Sequence, residues 1–561
     1  MASIVGKKLG GQTYYYLREM ARVGGKPKMV SERYLGKAAD IEAAMAGATV
    51  EPERTRHLAF GDLAAAWGMI ERLEVAGTVD EVVGARRSDA AASVGTYIAL
   101  ATANRVVDPC SKLAFGEWWA ATAGDRWVRL PPAALDHRRF WDAMDAIDDK
   151  HLREIERRLT ARMVETFGID LSGLVLDMTN FATYIDSAND RAPIAQRGHA
   201  KQKRTDLRLV GLGLVVSVDG GVPLLSHAYA GDRPDVTQFA AMVNELAARW
   251  GSLGADSDEL TLVYDAGQDS VANQAVIEAT SLHFVGSLPP LDFPGLLAVP
   301  ASRFAPVGDP YPGVSAFEDR VVALGAERRV IVVHSPTLHA TQVAGFAQTL
   351  AKAAGRLAEL AARLARGKTR RGRAAVEAEI ARVLAPRWLS RVVTATVSGD
   401  EPATFELTWS IDDAARAALE AEQFGKRILF TDHEDWSHAR VIAGYRSQSE
   451  VEADFRQMKD TAVVGFSPMF HWTDAKIRVH AFYCVVALAV ARLLRRQAAQ
   501  AGQAMSVRQL LATLAGIQET VLIYPSTGGR PRARRMTTEM DATQARLYEL
   551  FGLGAYAPRK P

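Results

Sequence analysis

The stretch Gly444-Tyr-Arg-Ser-Gln-Ser-Glu-Val-Glu-Ala-Asp-Phe-Arg-Gln-Met-Lys-Asp460 decides how this chain is read. Wound at 3.6 residues per turn, it gathers Val451, Phe455 and Met458 on one apolar side that needs a core. Beside that side, Gln448, Glu452, Arg456 and Lys459 form a polar stripe. Glu452 is its one carboxylate, because Glu450 and Asp454 project away from it. A lone acid followed by a lysine at helical repeat fits a metal ligand beside a phosphate contact. An amphipathic helix with a solvated charged face fits the same pattern, so the rest of the chain must decide. Ser447-Gln-Ser-Glu450 also has capping-box spacing, which predicts a helix starting at Gln448 with Tyr445 before it.

The partners of Glu452 lie upstream. Gly173-Leu-Val-Leu-Asp177 reads as a buried strand ending in a carboxylate. Leu207 to Val218 follows as a central strand, then a Gly220-Gly221 turn and the strand Val222 to Tyr229. Thr237 to Trp250 is an amphipathic helix. Glu259-Leu-Thr-Leu-Val-Tyr-Asp265 is again a strand ending in Asp, followed by a short helix near Ser270 to Ala279 and an apolar strand, His283 to Ser287. A single Asp at a strand end is ordinarily a turn or cap residue. Here the order is β-β-β-α-β-α-β, and in an RNase H-like topology the first and fourth strands are neighbours. Asp177 and Asp265 are then expected to converge, and adjacent carboxylates favour a divalent cation.

Size and composition bound the rest. At 561 residues, several structural units are expected. A 48% hydrophobic and 24% charged composition is that of an ordinary globular protein, and a net charge of +2 leaves any nucleic-acid contact to local basic clusters. Only Cys110 and Cys484 occur, which excludes a thiolate zinc site and a disulfide framework and fits a reducing cytosol. The N-terminus lacks the apolar run of a signal peptide, and Ala481 to Leu494 is too short for a membrane span and reads as a buried helix. A cytoplasmic location is expected. There is no P-loop and no histidine pair at helical spacing.

The expected organisation is α/β: an RNase H-like mixed-sheet core interrupted by an α+β insertion, with a mainly helical N-terminal domain. Residues 1–48 form a β-hairpin unit, with strands at Thr13 to Leu17 and Lys28 to Leu35 joined through Gly24-Gly25, basic and aromatic enough to touch DNA. Residues 49–168 form a helical DNA-binding domain in which Asp136 to Ile147 has the look of a recognition helix, with Arg86, Arg87, Lys112, Arg126, Arg129, Arg138 and Arg139 adding charge. The core spans 169–290 and 431–500, and the insertion 291–430 carries a long helix, a hairpin and the basic loop Gly367 to Arg373. Residues 501–561 form a C-terminal DNA or dimerisation segment with the Arg-rich loop Gly528 to Arg535. Each basic loop is equally well read as solvated charge.

With these blocks in place, the chain resembles the bacterial insertion-sequence DDE transposases (the insertion-sequence-four superfamily) that carry the Tyr-x2-Arg-x3-Glu-x6-Lys motif. Tyr445, Gln448, Glu452 and Lys459 stand at the motif positions, with Arg446, Phe455 and Arg456 in family style. Leu176 to Asn180 resembles the first-Asp motif, and Tyr264 to Gly267 with Ser270 and Asn273 the second. Gly198-His-Ala-Lys201 with Arg204 to Asp206, and Gly221 to Leu224 with Gly231-Asp232, are similar to the block around the second and third strands. Thr431-Asp432 resembles the pair before the closing helix, and Lys7 to Gly36 and Asn104 to Lys112 with Trp118 the N-terminal region. The departure is Gln448, where the motif has Arg. In relatives that Arg helps hold a DNA phosphate near a flipped base, and here Arg446 or Arg456 is the alternative source of charge. Relatives also stack a tryptophan of the insertion on that base, a role open to Trp388 or Trp409.

The resemblance implies Asp177, Asp265 and Glu452 as catalytic residues and as ligands of two Mg²⁺ ions, with Mn²⁺ able to substitute. It implies DNA contacts from Tyr445, Arg446, Gln448, Arg456, Lys459, His199, Lys201 and Arg204. The partners implied are double-stranded DNA, as terminal inverted repeats and target, and a second copy of the chain in a synaptic homodimer. An RNase H-like nuclease or resolvase without strand transfer, and a DNA-binding relative without chemistry, share many of these features.

Overall fold

The computed structural model describes residues 2–23, 26–45, 51–84, 90–186, 188–198, 206–253, 260–525 and 533–559. In chain order, β1 (Ala2–Leu9), β2 (Gln12–Val23) and β3 (Lys26–Gly36) form an antiparallel sheet of their own, and β4 (Arg54–Ala59) opens the helical region. The central sheet begins with β5 (Gly173–Ala182), β6 (Leu209–Ser217), β7 (Pro223–Ala230), β8 (Thr261–Val263) and β9 (His283–Leu288). It continues through β10 (Ala305–Pro306), β11 (Ser315–Ala323) and β12 (Ala326–His334). The hairpin of β13 (Val393–Ser398) and β14 (Glu406–Ile411) stands apart, and β15 (Lys426–Thr431) returns to the sheet. Finally β16 (Gln518–Ile523) and β17 (Ala533–Thr537) join β4.

The central sheet has nine strands in the order β10-β11-β12-β15-β9-β8-β5-β6-β7. Within it β5, β6 and β7 pair antiparallel, while β8 pairs parallel with both β5 and β9. So β5 and β8 are neighbours, the adjacency on which the two aspartates depend. All nine residues of β6 are buried, as a continuous apolar run with helices on both sides requires. Its glycines make room: a Cβ at Gly213 would stand 2.3 Å from the Met242 sulfur, and one at Gly211 2.1 Å from the Tyr229 ring. The β6–β7 turn uses Gly220 at φ +89° and Gly221 at φ +68°, backbone that residues with a Cβ rarely adopt.

The structure redraws several expected boundaries. The interval 291–430 is not one separate insertion, because β10, β11, β12 and β15 extend the central sheet. The physical reason is burial: Arg328 to Val333 on β12 are all buried, so this segment completes the main core. What lies apart is a second hydrophobic cluster from Phe346 to Phe424, built by the helices Pro336–Leu364, Arg373–Leu384 and Asp413–Gln423 around β13 and β14. The C-terminal region joins the N-terminal one, since β16 pairs with β4 and the helix Val507–Ala515 packs on Gly61–Arg72. That contact is close enough that a Cβ at Gly61 would lie 2.2 Å from the Leu514 carbonyl. The N-terminal unit has three strands rather than two, and its Gly24-Gly25 turn lies outside the described residues, as do Arg86 and Arg87.

Beneath the sheet runs the helix Asp474–Gln500. It is the one helix among the described residues long and apolar enough to cross a membrane, yet 94% of its most apolar window is buried in this protein's core. It carries Arg492, which donates from Nε to the wholly buried Asp454 carboxylate. Burial pushes Asp454 up to about 7, against the pull of the Arg492 charge. Asp454 Oδ2 has no hydrogen-bond partner. Replacing Arg492 by Met should strand that carboxyl and cost about 3–5 kcal/mol near pH 8. Without Arg492 the carboxyl rises further and stays protonated where the wild-type group, at about 7, has ionised, so the cost should shrink as the pH falls toward about 7 and level off below it. Denaturant midpoints of wild type and variant at about pH 8 and about pH 5 measure both effects.

Candidate active site

Val175 of β5 faces Val263 of β8 in the parallel ladder. Asp177 and Asp265 each follow by two residues and so stand at matched levels. But β5 runs on to Ala182 rather than ending at its aspartate as the sequence suggests, so Asp177 lies within its strand and Asp265 two residues past the end of β8. Side chains alternate along β5, which puts Asp177 on the same face as Thr179 and Phe181. Asp177 is half-buried and its Oδ1 accepts the Met178 amide at 2.7 Å. Asp265 is exposed; its Oδ1 accepts the Ala266 amide at 2.7 Å and the Ser287 hydroxyl at 3.2 Å. The Tyr445 hydroxyl lies 3.0 Å from Ser287 Oγ and 3.3 Å from that same Asp265 oxygen. Tyr445 itself is buried, which raises its phenol above the ordinary range, against the Arg427 guanidinium 4.9 Å from its ring centre.

The closing segment forms two helices, His438–Arg446 and Gln448–Met458, and the second packs across β5. Val451, Phe455 and Met458 are buried as the periodicity requires, while Glu452 and Arg456 are exposed. Lys459 Nζ donates to Thr179 Oγ1 at 2.9 Å and sits 5.7 Å from the Phe181 ring centre. Since Thr179 and Phe181 share the face of Asp177, the C-terminal end of this helix lies on that face. Glu452, seven residues before Lys459, is on the same side of the helix. The expected capping box does not form. Ser447 is in helical backbone and its hydroxyl donates back to the Gly444 carbonyl, and Tyr445 belongs to the last turn of the preceding helix. Glu450 instead lies 3.5 Å from both Arg492 and Arg495.

Among the described residues, the one group of three ligating side chains with atoms within 4.8 Å of one another is His283, Asp432 and His433, not the three carboxylates. Gln448 is buried, with Nε2 lacking a partner, whereas Arg446 stands 4.3 Å over the Tyr311 ring. His199, Lys201 and Arg204 lie outside the described residues.

No protein-family model matches the chain, and no curated protein matches it in sequence. Among solved structures it is similar to the piggyBac transposase synaptic complex with hairpin DNA, seen by cryo-EM, with a TM-score of 0.37 and 9% identity over 83% of this chain and 82% of that one.

Two acids escape sequence reading. Asp269 follows Asp265 by one turn, and both its oxygens are buried without partners. Burial pushes it up to about 8, with the charges of Asp265 and Asp292 adding. Asp235 accepts the Tyr229 hydroxyl at 2.6 Å, and burial raises that phenol with help from Asp235 and Asp177. Only the hydrophobic run of β7 and the strand-end position of Asp265 hinted at either. Several basic candidates are tied into the fold: Arg373 donates to the Val397 and Gly399 carbonyls, Arg371 pairs with Glu379, and Arg126 and Arg535 share the buried Glu519. Arg138 and Arg139 are exposed on a helix whose N-cap is Asp136, and Arg139 lies 3.6 Å from Asp142. Residues 528–532 of the Arg-rich loop are outside the described residues. Trp388 and Trp409 both pack on the second hydrophobic cluster. Tyr445→Phe should cost about 0.5–1.5 kcal/mol in a denaturant titration, the size of the hydroxyl's hydrogen bonds to Ser287 and Asp265.

Proposed function

We propose that the chain is a DDE-type DNA transposase, which binds the terminal inverted repeats of its insertion sequence, cuts the DNA ends and joins the 3′-OH ends to target DNA. The reading is carried by the matched register of Asp177 and Asp265 on adjacent parallel strands, with Lys459 reaching their face from the closing helix. The order β7-β6-β5-β8-β9, three antiparallel strands followed by two parallel ones, supports an RNase H-like core. Asp177, Asp265 and Glu452 offer only hard carboxylate oxygens, a donor set that fits Mg²⁺ or Mn²⁺. These three residues would hold a pair of such ions. When bound, the ions activate a water and stabilise charge on the leaving oxygen.

The remaining side chains bind and orient. Lys459 meets a DNA phosphate as a point charge, steadied by its hydroxyl contact to Thr179. The Tyr445 hydroxyl and Ser287 hold the Asp265 carboxylate at the same Oδ1 that accepts the Ala266 amide. Gln448, being buried, leaves its motif role to another residue, and exposed Arg456, on the stripe with Glu452 and Lys459, supplies that charge. A synaptic complex joins two ends, which calls for a homodimer on DNA.

Asp177→Asn, Asp265→Asn and Glu452→Gln should each reduce Mg²⁺-dependent cleavage of repeat-bearing DNA by at least about 100-fold while the fold is retained. Wild-type activity in all three would sink the assignment. Cleavage without joining to a target plasmid would instead make the chain a nuclease, and DNA binding without cleavage would make it an inactive relative. Arg456→Ala should lower the slope of log K against log salt by about 1 for repeat DNA.

A further inference from the structure

We propose that His283, Asp432 and His433 form a second site, for one borderline divalent transition-metal ion such as Zn²⁺, at the edge of the sheet remote from Asp177 and Asp265. The proposal goes beyond the transposase reading and does not depend on it. His283 opens β9, whereas Asp432 and His433 directly follow β15. The two strands are antiparallel, with Thr431 opposite Val285, so the end of β15 lies at the start of β9. His283 is level with Thr261 of β8 and Gly173 of β5, whereas Asp177 stands four residues further along β5 and Asp265 follows the end of β8, so both aspartates lie toward the other end of these parallel strands. Sequence alone hid the group, because its histidines belong to segments far apart in the chain.

One ligating atom from each of the three residues lies within 4.8 Å of the others. His283 Nδ1 and Asp432 Oδ2 are 2.9 Å apart. Ligands about 2.0–2.1 Å from a tetrahedral zinc are roughly 3.3 Å from one another, so a small opening of this pair admits an ion. The outer partners are in place. Asp432 Oδ1 accepts the Phe284 amide at 2.9 Å, and His433 Nε2 lies 2.8 Å from the Thr261 hydroxyl. The His433 amide donates to Thr431 Oγ1 at 3.1 Å, while Arg329 donates to the His433 carbonyl. The His433 ring is stacked between His283, 4.3 Å away, and Trp436, 3.7 Å away. Such contacts fix ring orientation and tautomer, as they do for metal-ligating histidines. A mixed imidazole and carboxylate set favours zinc over magnesium, and three protein ligands leave a fourth position to water. The His283 and Asp432 side chains are 36% and 33% exposed, which gives an ion a route in. The ion would staple the start of β9 to the chain that runs through Trp436 into the helix bearing Tyr445.

The test uses the full chain, stripped with a chelator and dialysed against ZnCl₂ or CoCl₂. Elemental analysis should give about one zinc per folded chain, and Co²⁺ should give the absorption of a low-coordinate nitrogen and oxygen site. Asp432→Asn, which keeps the side-chain shape, and His283→Ala should lose the ion. Thr261→Val should weaken binding by about 10- to 100-fold. Zinc should raise the thermal midpoint of wild type and leave that of Asp432→Asn unmoved. The combined variant Asp177→Asn, Asp265→Asn, Glu452→Gln should keep its zinc, whatever becomes of DNA cleavage. The proposal is overturned if folded wild type binds no zinc equivalent, if folded Asp432→Asn and His283→Ala bind it as wild type does, or if the combined variant loses it.

Discussion

Three residue pairs of parallel ladder between β5 and β8 are the constraint on which everything else in the core depends. A parallel pair cannot be joined by a tight turn, so the chain must leave the sheet and return through the helix Phe239–Leu253. That crossover places β5 between the antiparallel β6 and β7 on one side and β8 and β9 on the other. It also brings Asp177, within β5, level with Asp265, just past the end of β8. A slip of one residue in this register would turn Asp177 to the opposite face, away from Lys459 and the closing helix.

The closing helix is held to the sheet by a division of labour among its acids. Asp454 faces the interior and is answered by Arg492 from the long buried helix, while Glu450 reaches Arg492 and Arg495 nearer the surface. Only Glu452 is left pointing outward on the stripe that ends in Lys459. Buried ion pairs of this kind contribute little net stability compared with apolar packing, but they penalise every alternative rotation of the helix. In this chain the pair acts as a rotational lock, and Glu452 faces outward because its neighbours are committed inward.

Much of this was legible in the sequence because the strand-forming runs are apolar, although β5 continues past Asp177 to Ala182 and β8 is only Thr261–Val263. The runs at Gly173, Leu207 and Glu259 read as strands for that reason, and Val451, Phe455 and Met458 read as a buried face. What was not legible depends on partners far away. Arg54 to Ala59 carries two arginines and a histidine and looks nothing like a strand until β16 pairs with it. Ser315 to Ala323 is charged at Glu318, Asp319 and Arg320, so its place in the main sheet rests on β12 alone. The Ser447 to Glu450 spacing misled because a local cap competes with Arg492 and Arg495, and the distant cations won. Asp269 is hinted at only by its nearness to Asp265, since its burial is created by tertiary packing.

The second hydrophobic cluster leaves the sheet after His334 and comes back at Lys426, and these two residues are cross-strand partners in the β12–β15 ladder. Its two ends are therefore one rung apart. Closing so long an excursion costs only a logarithm of its length in entropy, and the ladder on either side has no need to know what lies between. The excursion can therefore change in length while the strand register, and with it the spacing of the two aspartates, stays unchanged.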